Sequence, residues 1–199
     1  MDAGRLLVNG KAATIRNIGD SLYRYRIGYV TENRKEEGLF LRDTVRTNIS
    51  VAVWPSLRHW LTRYINHKAE DQVCHDTVRS LSIKTPGLNQ TVDNLSGGNQ
   101  QKISVGKWLA ADCDILIIDE PTIGVDVGAK DQIHHLIRDL AQIKRKAVIL
   151  ISSDMPEIIK LANRILVFRG GRIAGEVQDV DNPKKGYPDI SADIGKFLR

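Results

Sequence analysis

The residues able to do chemistry crowd into one stretch, 93–126, which reads DNLSGGNQQKISVGKWLAADCDILIIDEPTIGVD. Its first cluster, Leu95-Ser96-Gly97-Gly98-Asn99-Gln100-Gln101, stands directly before a run in which Ile103, Val105 and Trp108 carry a helix to about Ala110. Glycines at a helix entry let backbone N–H groups come close to an anion, and the helix terminus adds partial positive charge. Ser96 offers a hydroxyl to the same phosphate, although Ser-Gly-Gly before a helix is, alone, more often a simple cap. The second cluster, Asp119-Glu120, ends the apolar run Ile115 to Ile118. Delivered at the end of a buried strand, Asp119 is suited to hold Mg²⁺ through water, and Glu120 to orient or deprotonate an attacking water. An Asp-Glu-Pro turn could explain the second cluster by itself. Both clusters in this order, about twenty residues apart, point to phosphate binding joined to metal-assisted phosphate chemistry.

Several elements must position these groups. Residues 5–8, Asn9-Gly10 and residues 12–15 read as a hairpin around an Asn-Gly turn. Ile27-Gly28-Tyr29-Val30 is a short buried strand that delivers Thr31-Glu32-Asn33-Arg34 into a polar loop, and strand ends are where open α/β sheets place their chemistry. From residue 42 to about 82 the pattern is helical. Val45, Ile49 and Val53 lead to Trp60, Leu61, Tyr64 and Ile65, Pro55 opens a second helix, and a third over 69–81 turns Val73, Val78 and Leu81 towards a core. With the helix after Gly98, this makes an inserted helical subdomain over about residues 42–110. Three short, unalternating apolar segments, 115–118, 147–151 and 165–168, are separated by helical sequence, the pattern of parallel strands covered on both faces. Between the first two, a helix over about 127–142 gathers Ile133, Leu136, Ile137 and Leu140 on one face. Gly170-Gly171 turns the chain into a strand at 172–177, and a polar stretch precedes a short last helix. The fold class expected is α/β, a parallel sheet with an inserted helical subdomain and a small antiparallel edge.

At 199 residues, 42% hydrophobic and 27% charged, the chain can build a good core with a small subdomain. No apolar run approaches the roughly 18 residues that span a bilayer, and MDAGRLLVNG lacks the apolar middle of a secretory signal. A cytosolic location is the default. Cys74 and Cys113 fit neither a disulfide nor a zinc framework. His59, His67, Cys74 and His75 lack the spacing of a compact metal site. The net charge of +5 is scattered; it permits nucleic acid or an anionic membrane surface and equally fits an ordinary basic surface.

Taken together, LSGGNQQ, ILIIDEPT and GVDVGAK resemble the nucleotide-binding subunit of ABC transporters. More narrowly, they are similar to the second nucleotide-binding half of bacterial monosaccharide importers of the ribose, galactose and xylose type, and GYVTENRKEEGL resembles the stretch that follows the phosphate loop there. The resemblance implies a P-loop NTPase-like fold, ATP and Mg²⁺ as ligands, and ATP hydrolysis coupled to sugar uptake. It places Leu95, Ser96, Gly97, Gly98, Asn99 and Gln100 in the family's signature motif, Asp119 and Glu120 at the Walker B aspartate and catalytic glutamate, and Asp126 in the D-loop. Glu32 stands at the Q-loop position, where a carboxylate can meet Mg²⁺ or water but cannot donate when ionised. Ser153 stands where the family usually has its switch histidine, which puts catalysis at this half's own site in doubt.

A phosphate loop needs GxxxxGK followed by Ser or Thr. The nearest stretch, RLLVNGKA over residues 5–12, lacks the first glycine and the hydroxyl, so the chain resembles a family member that starts after its first strand and phosphate loop. In the family each ATP is held by one half and covered by the signature motif of the other. The expected partners are therefore a second nucleotide-binding half supplying the Walker A loop, membrane permease subunits docking near Glu32 and the helical block, and indirectly a solute-binding protein, at the cytoplasmic face of the bacterial inner membrane. A helix of about a dozen residues after Gly98, ~18 Å long, would keep its start away from Asp119 and Glu120. The chain alone is expected to hydrolyse ATP poorly or not at all. Two alternatives stay open: a non-catalytic module that binds a permease or partner, and an ABC-type ATPase acting on nucleic acid, against which the motif set argues.

Overall fold

A computed structural model of the chain describes residues 4–62 and 64–198. The chain divides into two compact units, Met1–Ile149 and Leu150–Arg199.

The first unit opens with the Asn-Gly hairpin, β1 (Leu6–Val8) paired antiparallel with β2 (Lys11–Ala13). Asn9 and Gly10 both take positive φ, 51° and 74°, as the tight turn requires. Strands β3 (Ile27–Val30), β4 (Ile115–Asp119) and β5 (Ala147–Ile151) form a sheet in the order β3-β4-β5. The β3–β4 pair is parallel, with Ile27 opposite Ile115 and Val30 opposite Ile118. Both strands therefore release their polar continuations, Thr31-Glu32 and Asp119-Glu120, at the same end of the sheet.

The helical block contains α1 (Val45–Ser50), α2 (Trp54–Leu57) and α3 (His67–Ser80). Thr44 caps α1 by accepting from the Thr47 N–H, and Asn66 caps α3 by accepting from Ala69. α4 (Gly97–Ala110) packs against this block and against β3. Its approach to β3 depends on Gly28: a Cβ there would lie 2.7 Å from both Cβ and Cγ of Trp108. α5 (Val127–Gln142) starts at Asp126, whose carboxylate caps it, and buries Ile133, Leu136, Ile137 and Leu140 as its periodicity predicts. Val30, Val45, Ile49, Val92, Ile103, Leu116 and Ile118 complete the core, each buried side chain contributing roughly 1.5–3 kcal/mol.

Three sequence expectations are corrected. The described residues of 58–66 are not helical. His59 N–H donates to the Tyr64 carbonyl at 2.9 Å and Arg58 bridges Ile65, closing an antiparallel loop. Trp60 and Tyr64 are left 85% and 78% exposed at its tip. One turn of helical spacing is too short to nucleate a helix without packing, and α3 turns Glu70, Cys74, Thr77 and Leu81 inward, with Val73 and Val78 only partly covered. β5 is not covered on both faces: its burial alternates, with Ile149 and Ile151 exposed. Finally, the third apolar run does not join the parallel sheet.

That run is β6 (Ile165–Arg169) of the second unit, paired antiparallel with β7 (Arg172–Val177) in a two-stranded sheet. Gly170 and Gly171, at φ 57° and 73°, fold the chain straight back, so the hairpin partner is the nearest one available. Ile165, Val167 and Val177 pack with Val180 and with Ile190 and Ile194 of α7 (Tyr187–Leu198), and α6 (Met155–Leu161) adds Met155, Ile158 and Ile159. Among the described residues no helix is long and apolar enough to cross a membrane.

Candidate functional site

Ser96 occupies the N-cap position of α4, yet its side chain accepts no hydrogen bond from the helix backbone. Its Oγ instead accepts from Asn99 Nδ2 at 3.0 Å and stays exposed. The bland explanation of Ser-Gly-Gly as a side-chain cap is thereby removed. The first N–H groups of α4 have no partner within the helix by geometry. Other members of the cluster hold the loop: Asn99 accepts from the Lys84 N–H at 2.8 Å, and Gln100 is buried, donating to the carbonyls of Val92 and Leu95. Gln100 therefore faces the loop that leads into the helix, not the open surface. Leu95 is half-buried. Gly98 is a packing glycine, since a Cβ there would lie 2.8 Å from that of Ala129 in α5.

Arg34 runs beneath the start of α4. Its guanidinium donates to the carbonyls of Ile123 at 2.6 Å and Gly124 at 2.8 Å, and it is only 5% exposed. Burial alone pushes its pKa down, and its Nε has no hydrogen-bond acceptor. A Cβ on Gly97 would lie 3.0 Å from the Gly124 carbonyl and 3.1 Å from Arg34. Gly124 itself takes φ 65°, which favours glycine. The start of α4 is thus seated on the turn 123–126, and Ile123 N–H returns to the Glu120 carbonyl at 3.2 Å. The turn that follows Asp119-Glu120 comes back to meet Gly97, the first residue of α4.

Asp119, the last residue of β4, accepts from Tyr29 Oη at 2.9 Å. That hydrogen bond, with burial and the carboxylate charge adding to it, holds the Tyr29 phenol above its ordinary pKa. Glu120 follows at φ 44°, a left-handed conformation uncommon for a residue with a side chain. Glu32, exposed, leaves β3 at the same sheet end. Among the described residues no group of three or more His, Cys, Asp or Glu gathers as a metal cage. Mg²⁺ commonly takes one or two carboxylates and completes its shell with phosphate oxygens and water, and Asp119 and Glu32 are carboxylates that leave this one sheet end. Asp126 is committed to capping α5, accepting from Ala129 N–H at 2.9 Å. Ser153 lies two residues beyond β5, within the second unit.

The structure therefore joins Gly97 to the turn before Asp126, and sends Glu32 and Asp119 from one sheet end. Sequence reasoning missed Tyr29 and Arg34. Tyr29 could have been found from alternation on β3, which turns it away from the buried Gly28 and Val30. For Arg34 the sole signal was an arginine two residues after Glu32, in the polar stretch that follows β3.

Known proteins match this chain in both sequence and fold. The sequence pattern of the family described as ABC transporter matches residues 1–123. A putative ribose/galactose/methyl galactoside import ATP-binding protein of Burkholderia cenocepacia is 43% identical over 183 residues, covering 91% of this chain and 35% of the relative. Its counterpart in Geobacillus kaustophilus is 46% identical over 177 residues, covering 88% and 34%. A galactose/methyl galactoside import ATP-binding protein of Photobacterium profundum is 36% identical over 180 residues, covering 90% and 36%. The chain spans about a third of the length of these relatives. Among solved structures, a post-hydrolysis dimer of an ATP-binding cassette bound to ADP and phosphate superimposes with a TM-score of 0.72 at 18% identity, covering 89% of this chain and 74% of that one.

Proposed function

The chain belongs to the ABC transporter family, and from that premise we propose that it is the ATP-covering part of an importer's ATP-binding subunit, serving the uptake of a monosaccharide. Ser96 and the first N–H groups of α4 face the phosphates of an ATP held by the phosphate loop of a second nucleotide-binding half. Asp119 and Glu32 are the residues that would hold Mg²⁺, which neutralises phosphate charge when bound. Glu120 is placed to orient the attacking water, and Asp126 and Ser153 lie on segments that the resemblance brings to the nucleotide. Membrane permease subunits dock near the Glu32 loop and the helical block, where exposed Trp60, Leu61 and Tyr64 offer apolar surface. A solute-binding protein delivers the sugar, and the chain works at the cytoplasmic face of the bacterial inner membrane.

The observation that carries this proposal is electrostatic. An exposed serine that does not cap its helix stands at a helix N-terminus whose next residue, Gly97, lies against a buried guanidinium. Helix dipole and guanidinium both make that surface attractive to an anion. The names of the relatives support sugar import.

The test is association of the chain with a complete nucleotide-binding half, with and without Mg-ATP. Binding that requires ATP and is lost in Ser96→Arg supports the proposal; binding indifferent to ATP overturns it. Because the chain contains no GxxxxGK[ST] stretch, the chain alone is expected to release no phosphate steadily. Turnover by the chain alone that Glu120→Gln abolishes would refute the division of labour between two halves.

A further inference from the structure

We infer that Arg34 is the positioning residue of the ATP-covering surface: it locks the start of α4 to the turn 123–126 and supplies that surface with positive charge. This rests on the covering role proposed above for Ser96 and Gly97. Arg34 sits 89 and 90 residues from the two carbonyls that it binds, so its bonds staple the loop after β3 to the turn after β4. A guanidinium does this because its planar fork sends separate N–H groups to two successive carbonyls; a lysine ammonium is a point charge on a flexible stem. Around the fork the sequence keeps side chains away. A Cβ on Gly97 would come within 3.1 Å of the guanidinium, and one on Gly124 within 3.5 Å.

Three segments therefore share one contact: the Glu32 loop, the start of α4 and the turn that delivers Asp126. Displacing any of them displaces the others. The charge has a second consequence. Arg34 is buried beside the positive end of a helix, its bonded partners are neutral carbonyls, and its Nε lacks an acceptor. Two positive features pressed together repel, and an anion at Ser96-Gly97 relieves the repulsion. A phosphate on that surface thus tightens the same contact that shapes it.

The test compares wild type, Arg34→Lys and Arg34→Met by two readouts. The first is amide hydrogen exchange in the chain without ligand, at Gln100, Ile123, Val125 and Ala129, whose N–H groups are bonded in the cap and turn, with Ala162 and Val180 of the second unit as references. Both variants are expected to speed exchange at the first four by at least about tenfold and to leave the references unchanged. The second is ATP-dependent association with a complete nucleotide-binding half. Here Arg34→Met is expected to weaken binding about tenfold or more, and Arg34→Lys to recover part of it because the charge remains. Unchanged local exchange, or faster exchange everywhere, overturns the inference. So does locally faster exchange with undiminished ATP-dependent binding. If wild type fails to bind the ATP-loaded half, the proposed function falls, while the exchange result still decides whether Arg34 is the staple.

Discussion

Replacing Gly98 with alanine should destabilise the chain, whereas the same replacement at Gly195 should stabilise it. Both glycines lie within α-helices, Gly98 in α4 and Gly195 in α7. A Cβ at Gly98 would sit 2.8 Å from the Ala129 Cβ, while one at Gly195 would meet nothing within 4 Å. Carbon atoms pack at about 3.5–4.0 Å, so α4 must retreat from α5 by about 1 Å. Overpacking of this kind costs roughly 1–3 kcal/mol, and removing the glycine from a helix returns about 0.5–1 kcal/mol. The net loss at Gly98 therefore runs up to about 2.5 kcal/mol, against a gain of about 0.5–1 kcal/mol at Gly195. In a chain of this size 1 kcal/mol moves Tm by about 2–4 °C. Urea unfolding monitored by tryptophan fluorescence follows the first unit, which holds Trp54, Trp60 and Trp108, and far-ultraviolet circular dichroism follows both. Because α4 begins at the proposed ATP-covering surface, Gly98→Ala should also weaken ATP-dependent association. A stabilised Gly98→Ala variant, or two variants shifting in the same direction, would refute the packing argument.

Three further outcomes concern individual titratable groups. Glu70 is buried; burial pushes its pKa up, but hydrogen bonds from Ser50, Trp54 and His67 outweigh this and hold it below the ordinary value of 4.5. With the folded pKa depressed, the unfolded state binds the proton more readily, so the stability contributed by Glu70 is present above about pH 4.5 and is lost as pH falls through the folded pKa. Urea midpoints measured across that range should fall more steeply for wild type than for Glu70→Gln, and parallel curves would count against the network. The Tyr29 phenol should titrate above 10.0 and move back towards it in Asp119→Asn, as followed by ring-carbon chemical shifts. Cys74 and Cys113 are free and buried, with thiols pushed up to about 12 and about 11. Alkylation needs the thiolate, so both should resist iodoacetamide in the native chain near neutral pH and react once the chain is unfolded.

The sequence by itself determined the features whose signals are local. Asn9-Gly10 specified a hairpin because few residues tolerate its backbone angles. The apolar run closed by Asp119 specified a buried strand with a carboxylate at its end, and the periodicity over 127–142 specified α5. The motif spacing pointed to phosphate binding joined to metal-assisted phosphate chemistry because glycines at a helix entry and a strand-end carboxylate each have a chemical reason, and ATP was implied by the resemblance to ABC transporters. What only the tertiary structure decided depends on partners distant in the chain. Trp60, Leu61 and Tyr64 had helical spacing but found no surface to cover them, so they ended exposed in a loop. The run at 165–168 was apolar enough for the parallel sheet, yet Gly170-Gly171 brought β7 beside it first. Gln100 belonged to the motif but turned inward to the carbonyls of Val92 and Leu95. Arg34 was a loop arginine until folding carried Ile123 and Gly124 to it. Spacing along a chain fixes which groups leave an element together; which carbonyl a guanidinium reaches across 90 residues is set by how the elements pack.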